Sequence, residues 1–353
     1  MNAGRGAGNL RAMKFLPMLL ACLAIFAGPA HAEIINGRSY TSLAGWARAN
    51  GFTGWARNGG TEFILTNKTA RLIFQKDSAD ITINGVDVRL SFPVAKGGFI
   101  AQLDVDKTVR PLVFPQKTSA KKVSVICLDP GHGGKDTGYR VGHFWSARNE
   151  KTYTLALAVE LRQQLLKAGF DVVMTRDRDV YPELAVRPDI ANRKGADLFV
   201  SLHFNSFARD PKSVSGPETY CITPVGAASS NDSAGAGAGH GASAGNRVED
   251  KSLLLAYQTQ KSLVRNLGAN DRSVRRARFE VLRAATMPAI LIEGGYLSHP
   301  VEGKKIFSEE YRKQMAAAIV KGILNYQKLT APAMTPADTN KIPNRKPAAG
   351  KRK

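Results

Sequence analysis

The chain has 353 residues and a mass of 38.1 kDa, and its 43% hydrophobic content excludes a wholly disordered protein. Fifty lysines and arginines against 29 acids give a formal net charge of +21, which favours an anionic partner such as nucleic acid, anionic lipid or an acidic polymer. Three cysteines are too few for a disulfide scaffold, and the lack of zinc-finger, Walker and GxGxxG signatures weighs against nucleic-acid and nucleotide binding.

The N-terminal segment, residues 1–32, is typical of a secretory signal peptide. Two basic residues precede an apolar run over residues 15–27, and residues 30–32 offer a small-x-small cleavage site. The run is short for a transmembrane helix. We therefore expect a mature chain that begins at Glu33, lies in the periplasm or elsewhere in the cell envelope, and has no stable membrane insertion after cleavage.

Alternatives stay open at this end of the chain and for the cysteines. Translation could start at Met1 or at Met13, and Cys22 follows a lipobox-like sequence that would make a lipoprotein. In an oxidising compartment Cys127 and Cys221 could pair. Their apolar, strand-like surroundings instead favour two buried free thiols.

Residues 33–115 are predicted to form a small β-rich domain, followed by a polar linker at residues 116–122. A first strand region with a turn precedes a short helix over residues 41–50, which Thr41 or Ser42 would cap. Asn84-Gly85 between two alternating stretches is a hairpin signal. Further strands are predicted at residues 62–65, 70–75, 80–83, 86–90 and 98–103.

Residues 123–328 alternate strand-like runs with longer amphipathic helical runs, which predicts an α/β domain with a mostly parallel open sheet flanked by helices. A Gly/Ala-rich segment at residues 226–245 is expected to be a flexible insertion, and residues 329–353 a basic, disordered tail. The strands are predicted at 123–128, 171–175, 198–202, 219–223 and 289–292, and the helices at 150–168, 183–194, 251–267 and 309–328.

Chemically active side chains follow three of these predicted strands. His132 lies in the DPGHGG loop at residues 129–134, His203 follows the next strand of the three, and Glu293 follows the last. Glu150 lies at the predicted start of a helix. Sites in open α/β sheets form outside the carboxyl ends of the strands. Two histidines and a carboxylate fit a catalytic zinc with one position left for water, and a further carboxylate suits a general base.

This constellation resembles the zinc-dependent N-acetylmuramoyl-L-alanine amidases of the amidase-3 type, over about residues 123–328. Two small departures are Gly295-Tyr296, where Gly-Phe or Ala-Phe is usual, and His299, where Asn is common. Arg176 and Arg187 match motif positions, and we expect them to be structural and to pair with Asp177, Asp179 or Asp189. The matching segments are 128–134, 149–150, 175–177, Arg187, 191–192, 196–197, 201–205, 279–283 and 292–298.

The resemblance implies that His132, Glu150 and His203 bind Zn²⁺ and that Glu293 is the catalytic carboxylate. Asn205 would be a substrate or supporting contact. The bond cleaved would join the lactyl group of N-acetylmuramic acid to L-alanine in peptidoglycan, for wall remodelling, cell separation or turnover. A zinc peptidase acting within the stem peptide and a non-catalytic envelope-binding protein are the competing functions, and a pure binder would not need Glu293. Export argues against a nucleic-acid partner.

Two further expectations come from likenesses outside the catalytic motifs. Residues 33–115 are weakly similar to the stalk domain beside copper amine oxidases, and could target the wall or act as a spacer; they contain no histidine or cysteine that could bind copper. Some cell-division amidases carry a helix that plugs the zinc site in the region of residues 226–245. Repeated glycine disfavours such a helix, so we expect an open site that needs no activator protein.

Overall fold

The computed structural model describes residues 32–117, 122–142, 148–230 and 241–331. The predicted signal peptide except Ala32, most of the predicted linker, the centre of the Gly/Ala-rich segment and nearly all of the basic tail lie outside the described residues. Within the described ranges, no helix has both the length and the apolar content that crossing a membrane requires.

The first part of the chain is β-rich, as predicted. Helix α1 (Leu43–Ala49) begins at Ser42, whose hydroxyl accepts the Gly45 N–H at 3.1 Å. The Asn84-Gly85 hairpin is confirmed, and both residues adopt the left-handed conformation that this turn requires. The strands are β1 (Ala32–Ile35), β2 (Arg38–Ser42), β3 (Thr53–Arg57), β4 (Glu62–Thr66), β5 (Arg71–Gln75), β6 (Asp80–Ile83), β7 (Val86–Arg89) and β8 (Phe99–Ala101).

A helical segment follows β8 where the sequence predicts continued strand to residue 103. Helix α2 (Gln102–Asp104), a π-helical turn (Val105–Val109) and α3 (Arg110–Val113) run without a break. The carboxylate of Asp104 accepts the N–H groups of Ser91 at 2.7 Å and Phe92 at 3.0 Å. Burial raises the pKa of Asp104 to about 6, although these hydrogen bonds oppose the shift. Asp104 therefore links this helical segment to the segment that follows β7.

The second part alternates strands and helices close to the predicted positions. Strands β10, β11 and β15 and helices α7 and α8 were not predicted from the sequence. The elements are β9 (Val125–Pro130), β10 (Arg140–Val141), β11 (Arg148–Asn149), α4 (Glu150–Lys167), β12 (Asp171–Met174), α5 (Val186–Arg193), β13 (Leu198–Asn205), β14 (Glu218–Ile222), α6 (Glu249–Leu267), β15 (Val274–Ala277), α7 (Glu280–Arg283), β16 (Ala289–Tyr296), α8 (Glu302–Phe307) and α9 (Glu309–Thr330).

One eleven-stranded sheet organises the molecule, in the order β12-β9-β13-β16-β14-β15-β7-β6-β5-β4-β3. From β12 to β15 all neighbours are parallel except β14 and β16, so the expected mostly parallel sheet is confirmed for this part. Strand β7 joins β15 in parallel, and the antiparallel meander from β7 to β3 extends the sheet. The division of the chain into a separate first domain and a catalytic domain stays a prediction.

Helices cover both faces of the parallel part. Strand residues such as Ile126 and Leu202 belong to the larger core cluster, together with side chains of α4, α6 and α9. Cys127, which follows Ile126, and Phe199, which lies three residues before Leu202, belong to a second cluster with α5 and α7. Successive side chains of a strand point to opposite faces of the sheet. A continuous apolar run is therefore buried on both faces when helices cover both sides of the sheet. Cys127 and Cys221 are buried free thiols, as their surroundings indicated.

Candidate metal centre and active site

Three of the predicted site residues converge at the carboxyl ends of the parallel strands. The ligand atoms of His132, Glu150 and His203 all lie within 4.8 Å of one another. Glu150 Oε1 is 3.0 Å from His132 Nε2 and 3.2 Å from His203 Nδ1, and the two imidazole rings meet edge to face. Two imidazole nitrogens and one carboxylate oxygen are a donor set of catalytic zinc sites, so these residues fit the metal that the sequence predicts.

Each ligand comes from a different element. Strands β13 and β16 are longer than predicted, so His203 and Glu293 are strand residues, whereas His132 lies in the loop after β9. Glu150 is the first residue of α4. Burial alone would raise the pKa of Glu150, but hydrogen bonds with the two histidines outweigh it and hold that pKa below its usual range. The carboxylate is therefore ionised, as a metal ligand must be.

Asp136 orients His132 and was missed from the sequence. Its Oδ2 lies 2.8 Å from His132 Nδ1, and its Oδ1 accepts the Gly138 N–H at 3.0 Å. A carboxylate on the second ring nitrogen leaves Nε2 free to face a metal and fixes the ring. The signal available in the sequence was an acid four residues after the loop histidine.

The loop needs its glycines because the metal ligands pass close to its backbone. His132 has a φ of 60°, in the left-handed region that few non-glycine residues adopt. A Cβ at Gly131 would overlap the His203 ring, and one at Gly138 would lie 2.6 Å from Glu150 Oε2. These two positions therefore bring backbone and ligands together at a distance that a side chain would prevent.

Arg187 is buried against the loop at residues 129–134 and binds its backbone and its first side chain. It is 1% exposed, and its guanidinium lies 2.9 Å from Asp129 Oδ1. It also donates to the carbonyl oxygens of Pro130 at 3.0 Å and His132 at 2.9 Å. The predicted structural role is consistent with these contacts, but the predicted pairing with Asp177, Asp179 or Asp189 was wrong for Arg187.

Arg176 also binds the loop backbone, and together we call Arg187 and Arg176 the arginine clamp. In the described residues Arg176 forms no salt bridge with an acid. It donates to the carbonyl oxygens of Pro130 at 2.9 Å, Gly131 at 2.8 Å and Lys151 at 2.9 Å. The predicted pairing was wrong for this residue too. The three acids that the sequence suggested as its partners instead pair in the structure with Arg178, Lys151 and Arg193.

Glu293 lies beside the candidate metal ligands, and in the described part of the chain one of its carboxylate oxygens has no hydrogen-bond partner. Its neighbour across the β13–β16 pair is His203, and across the β14–β16 pair it is Glu218. Among the described residues, its buried Oε2 has no hydrogen-bond partner. Burial raises the pKa of Glu293 well above its usual value, and the charges of Glu150 and Glu218 add to the shift. A carboxyl group with high proton affinity and no structural partner is suited to proton transfer.

Glu218 accepts hydrogen bonds from three side chains near Glu293 and was not identified from the sequence. It is 2% exposed, and Arg275 lies 2.8 Å from its Oε2. The Asn205 amide and the Tyr296 hydroxyl both donate to its Oε1, the latter at 2.9 Å. The tyrosine that departs from the resembled motif thus acquires a hydrogen bond. Asn205 faces this carboxylate, and its predicted contact with substrate stays a prediction.

The chain is similar to known proteins of one enzyme family. A family model described as N-acetylmuramoyl-L-alanine amidase matches residues 126–325. The amidase AmiC of Neisseria meningitidis is 37% identical over 57% of this chain and 52% of its own length, and AmiA of Escherichia coli is 31% identical over 74% and 93%. A solved N-acetylmuramoyl-L-alanine amidase of Clostridium difficile is 33% identical over 59% of this chain and 98% of its own, with a TM-score of 0.48. The chain spans about half of the Neisseria protein and nearly all of the Escherichia protein, and it belongs to the N-acetylmuramoyl-L-alanine amidase family.

Proposed function

We propose that this protein is a zinc-dependent amidase that cleaves peptidoglycan in the cell envelope, between N-acetylmuramic acid and L-alanine. The observation that carries the proposal is the convergence of His132, Glu150 and His203 beside the unpartnered carboxyl of Glu293. The secretory pattern of residues 1–32 supports the location.

His132, Glu150 and His203 would hold the zinc, and Asp136 would keep the His132 ring in position. When bound, zinc polarises the scissile carbonyl and makes a water molecule more acidic. Glu293 takes the proton of the attacking water and passes it to the nitrogen of the departing L-alanine. Its raised pKa suits both halves of this transfer, because the group must bind the proton and then release it.

The site is open in this proposal, and the protein needs no activator. The composition of residues 226–245 disfavours a plugging helix. The nearest carboxylate after this segment, Glu249, is buried and lies 2.8 Å from the Lys107 ammonium, and it also accepts from the Asn246 amide at 2.7 Å. A carboxylate with two partners away from the zinc ligands is not available to block the metal.

The test compares Glu293→Gln with Glu280→Gln on purified sacculi. Glu280 is a matched control because its carboxylate is partly exposed and pairs with Arg283 on the same short helix. We expect Glu293→Gln to lose about 10²–10⁴-fold in rate with its zinc retained, because the proton acceptor is lost while size is kept. We expect His203→Ala to lose the zinc.

Three outcomes would contradict the proposal. Near-normal turnover by Glu293→Gln would move the base elsewhere, and full zinc retention by His203→Ala would remove that ligand. Mass spectrometry of the products decides the bond: stem peptides released with a free L-alanine amine support the amidase, whereas cuts within the stem peptide would make the protein a peptidase.

A further inference from the structure

A groove with a basic lining runs along the outer surface of the helical layer, away from the metal centre. It has a volume of about 490 Å³ and lies between α6 and α9, beside the ends of β5 and β6 and the segment after α3. None of its lining residues belongs to the site described above. We call it the basic groove because its charged lining residues are Lys261, Arg265, Lys321 and Lys328. No acid is among the described residues that line it.

The four cations are placed together by helix geometry. Lys261 and Arg265 are four residues apart on α6, and Lys321 and Lys328 are seven residues apart on α9, so each pair shares one face of its helix. The two helices pack closely where they cross, since a Cβ at Gly322 would lie 2.7 Å from Thr259 Cα. Such tight packing makes the groove a preformed feature.

Neutral groups contact two of these cations. The Lys321 ammonium donates to the Asn266 side chain at 3.0 Å, and Arg265 donates to the Asn84 carbonyl at 3.2 Å. In the ranges that the structure describes, none of the four forms a salt bridge, in contrast to Lys107 and Lys151. Burial lowers the pKa of Lys261, and the charge of Arg265 adds to the effect. The four positive charges therefore repel one another, and an anion that binds in the groove would reduce this repulsion.

The rest of the lining suits a peptide. Tyr257, Leu112 and Leu329 supply apolar surface, while Asn325 and Gln258 supply amide donors and acceptors. A concave groove that combines amides, apolar surface and cations matches a short acidic peptide better than the flat surface of a bilayer. The proposed substrate carries such peptides in many copies, because a stem peptide that is not cross-linked through its C-terminus ends in a free carboxylate.

We propose that the basic groove binds the carboxylates of a second, uncleaved stem peptide of peptidoglycan and so holds the enzyme on its polymer. The proposal rests on the proposed function for the identity of the polymer. Binding at two places on one polymer raises the local concentration of substrate at the active site without any change in the site itself.

The test measures binding, so it does not depend on cleavage. Full-length Glu293→Gln protein, which leaves sacculi intact, is compared with the same protein carrying Lys261→Gln, Arg265→Gln, Lys321→Gln and Lys328→Gln. The matched control carries four glutamines at exposed lysines elsewhere, Lys167, Lys194, Lys212 and Lys304. Zinc content and thermal unfolding verify that each variant is folded.

We expect the groove variant to bind sacculi about tenfold more weakly at low salt, from four solvent-accessible charge contacts of a few tenths of a kcal/mol each, and the control to change little. A soluble acidic stem peptide should compete with sacculi, and the same peptide with amidated carboxylates should not. Equal loss in groove and control variants would show that only net charge matters and would overturn the proposal. Loss of binding to phosphatidylglycerol vesicles with sacculus binding retained would assign the groove to a membrane instead.

The outcome for this groove is separable from the outcome for the active site. If the wild-type protein cleaves sacculi at the expected bond but the groove variant binds them normally, only the groove proposal fails. If the wild-type protein cleaves no wall amide while the groove variant loses peptide binding, the proposed function fails and the groove stands as a peptide site.

Discussion

Replacing Arg187 by glutamine removes the buried cation that contacts the loop at residues 129–134, which carries His132. Its guanidinium contacts Asp129, the Pro130 and His132 carbonyl oxygens and, at 3.0 Å, the carbonyl of Pro182. Asp129 is fully buried and, among the residues that the structure describes, would keep two hydroxyl donors, Thr175 at 2.6 Å and Ser201 at 2.8 Å. Removing one partner of a buried pair costs about 3–5 kcal/mol. We expect the lower end, about 3 kcal/mol, because two hydrogen bonds to the carboxylate survive.

The assay is urea unfolding of the metal-free protein, with Arg193→Gln as the matched control. Arg193 lies on the same helix and pairs with Asp189 at 2.6 Å, but its side chain is 68% exposed, so the control should lose less than about 1 kcal/mol. If Arg187→Gln does not fold, Arg187→Lys keeps the charge for Asp129 but lacks the fork that reaches the carbonyl groups. Equal losses in Arg187→Gln and Arg193→Gln would refute the claim that Arg187 stabilises the loop that carries His132. Unchanged zinc affinity in the lysine variant would refute it as well.

Two other substitutions test the support of the metal site and the first part of the chain. Asp136→Asn should weaken zinc binding about 10–100-fold in competition with a chelator, because it removes the carboxylate that orients His132; unchanged affinity would remove that role. The pKa of Asp104 is raised to about 6, so its neutral form is favoured in the fold, and its contribution to stability is present below about pH 4 and lost as the pH rises through 6. The stability of the wild type relative to Asp104→Asn should therefore fall by about 3 kcal/mol between pH 4 and pH 7, and parallel pH profiles would contradict this.

The sequence by itself determined the α/β architecture of the second part and the candidate site residues. Short apolar runs that alternate with longer amphipathic stretches are typical of strands in a layered sheet, and the carboxyl ends of these strands carry His132, His203 and Glu293. Helix α4 starts at the predicted position, so Glu150 also lies where the sequence placed it. These features depend on local periodicity and on chain order, which a sequence states directly.

Only the tertiary structure decided which polar groups meet. Asp129 and Arg187 are 58 residues apart, and Glu218 faces Glu293 through a strand pairing that no local pattern specifies. The same four letters, Gly-Trp-Ala-Arg, are helical at residues 45–48 and extended at residues 54–57. The first copy is capped by Ser42 and buries Trp46, whereas the second pairs with β4. The preference of these four residues for helix over strand is small, so the cap, the burial of Trp46 and the pairing with β4 decide the conformation of each copy.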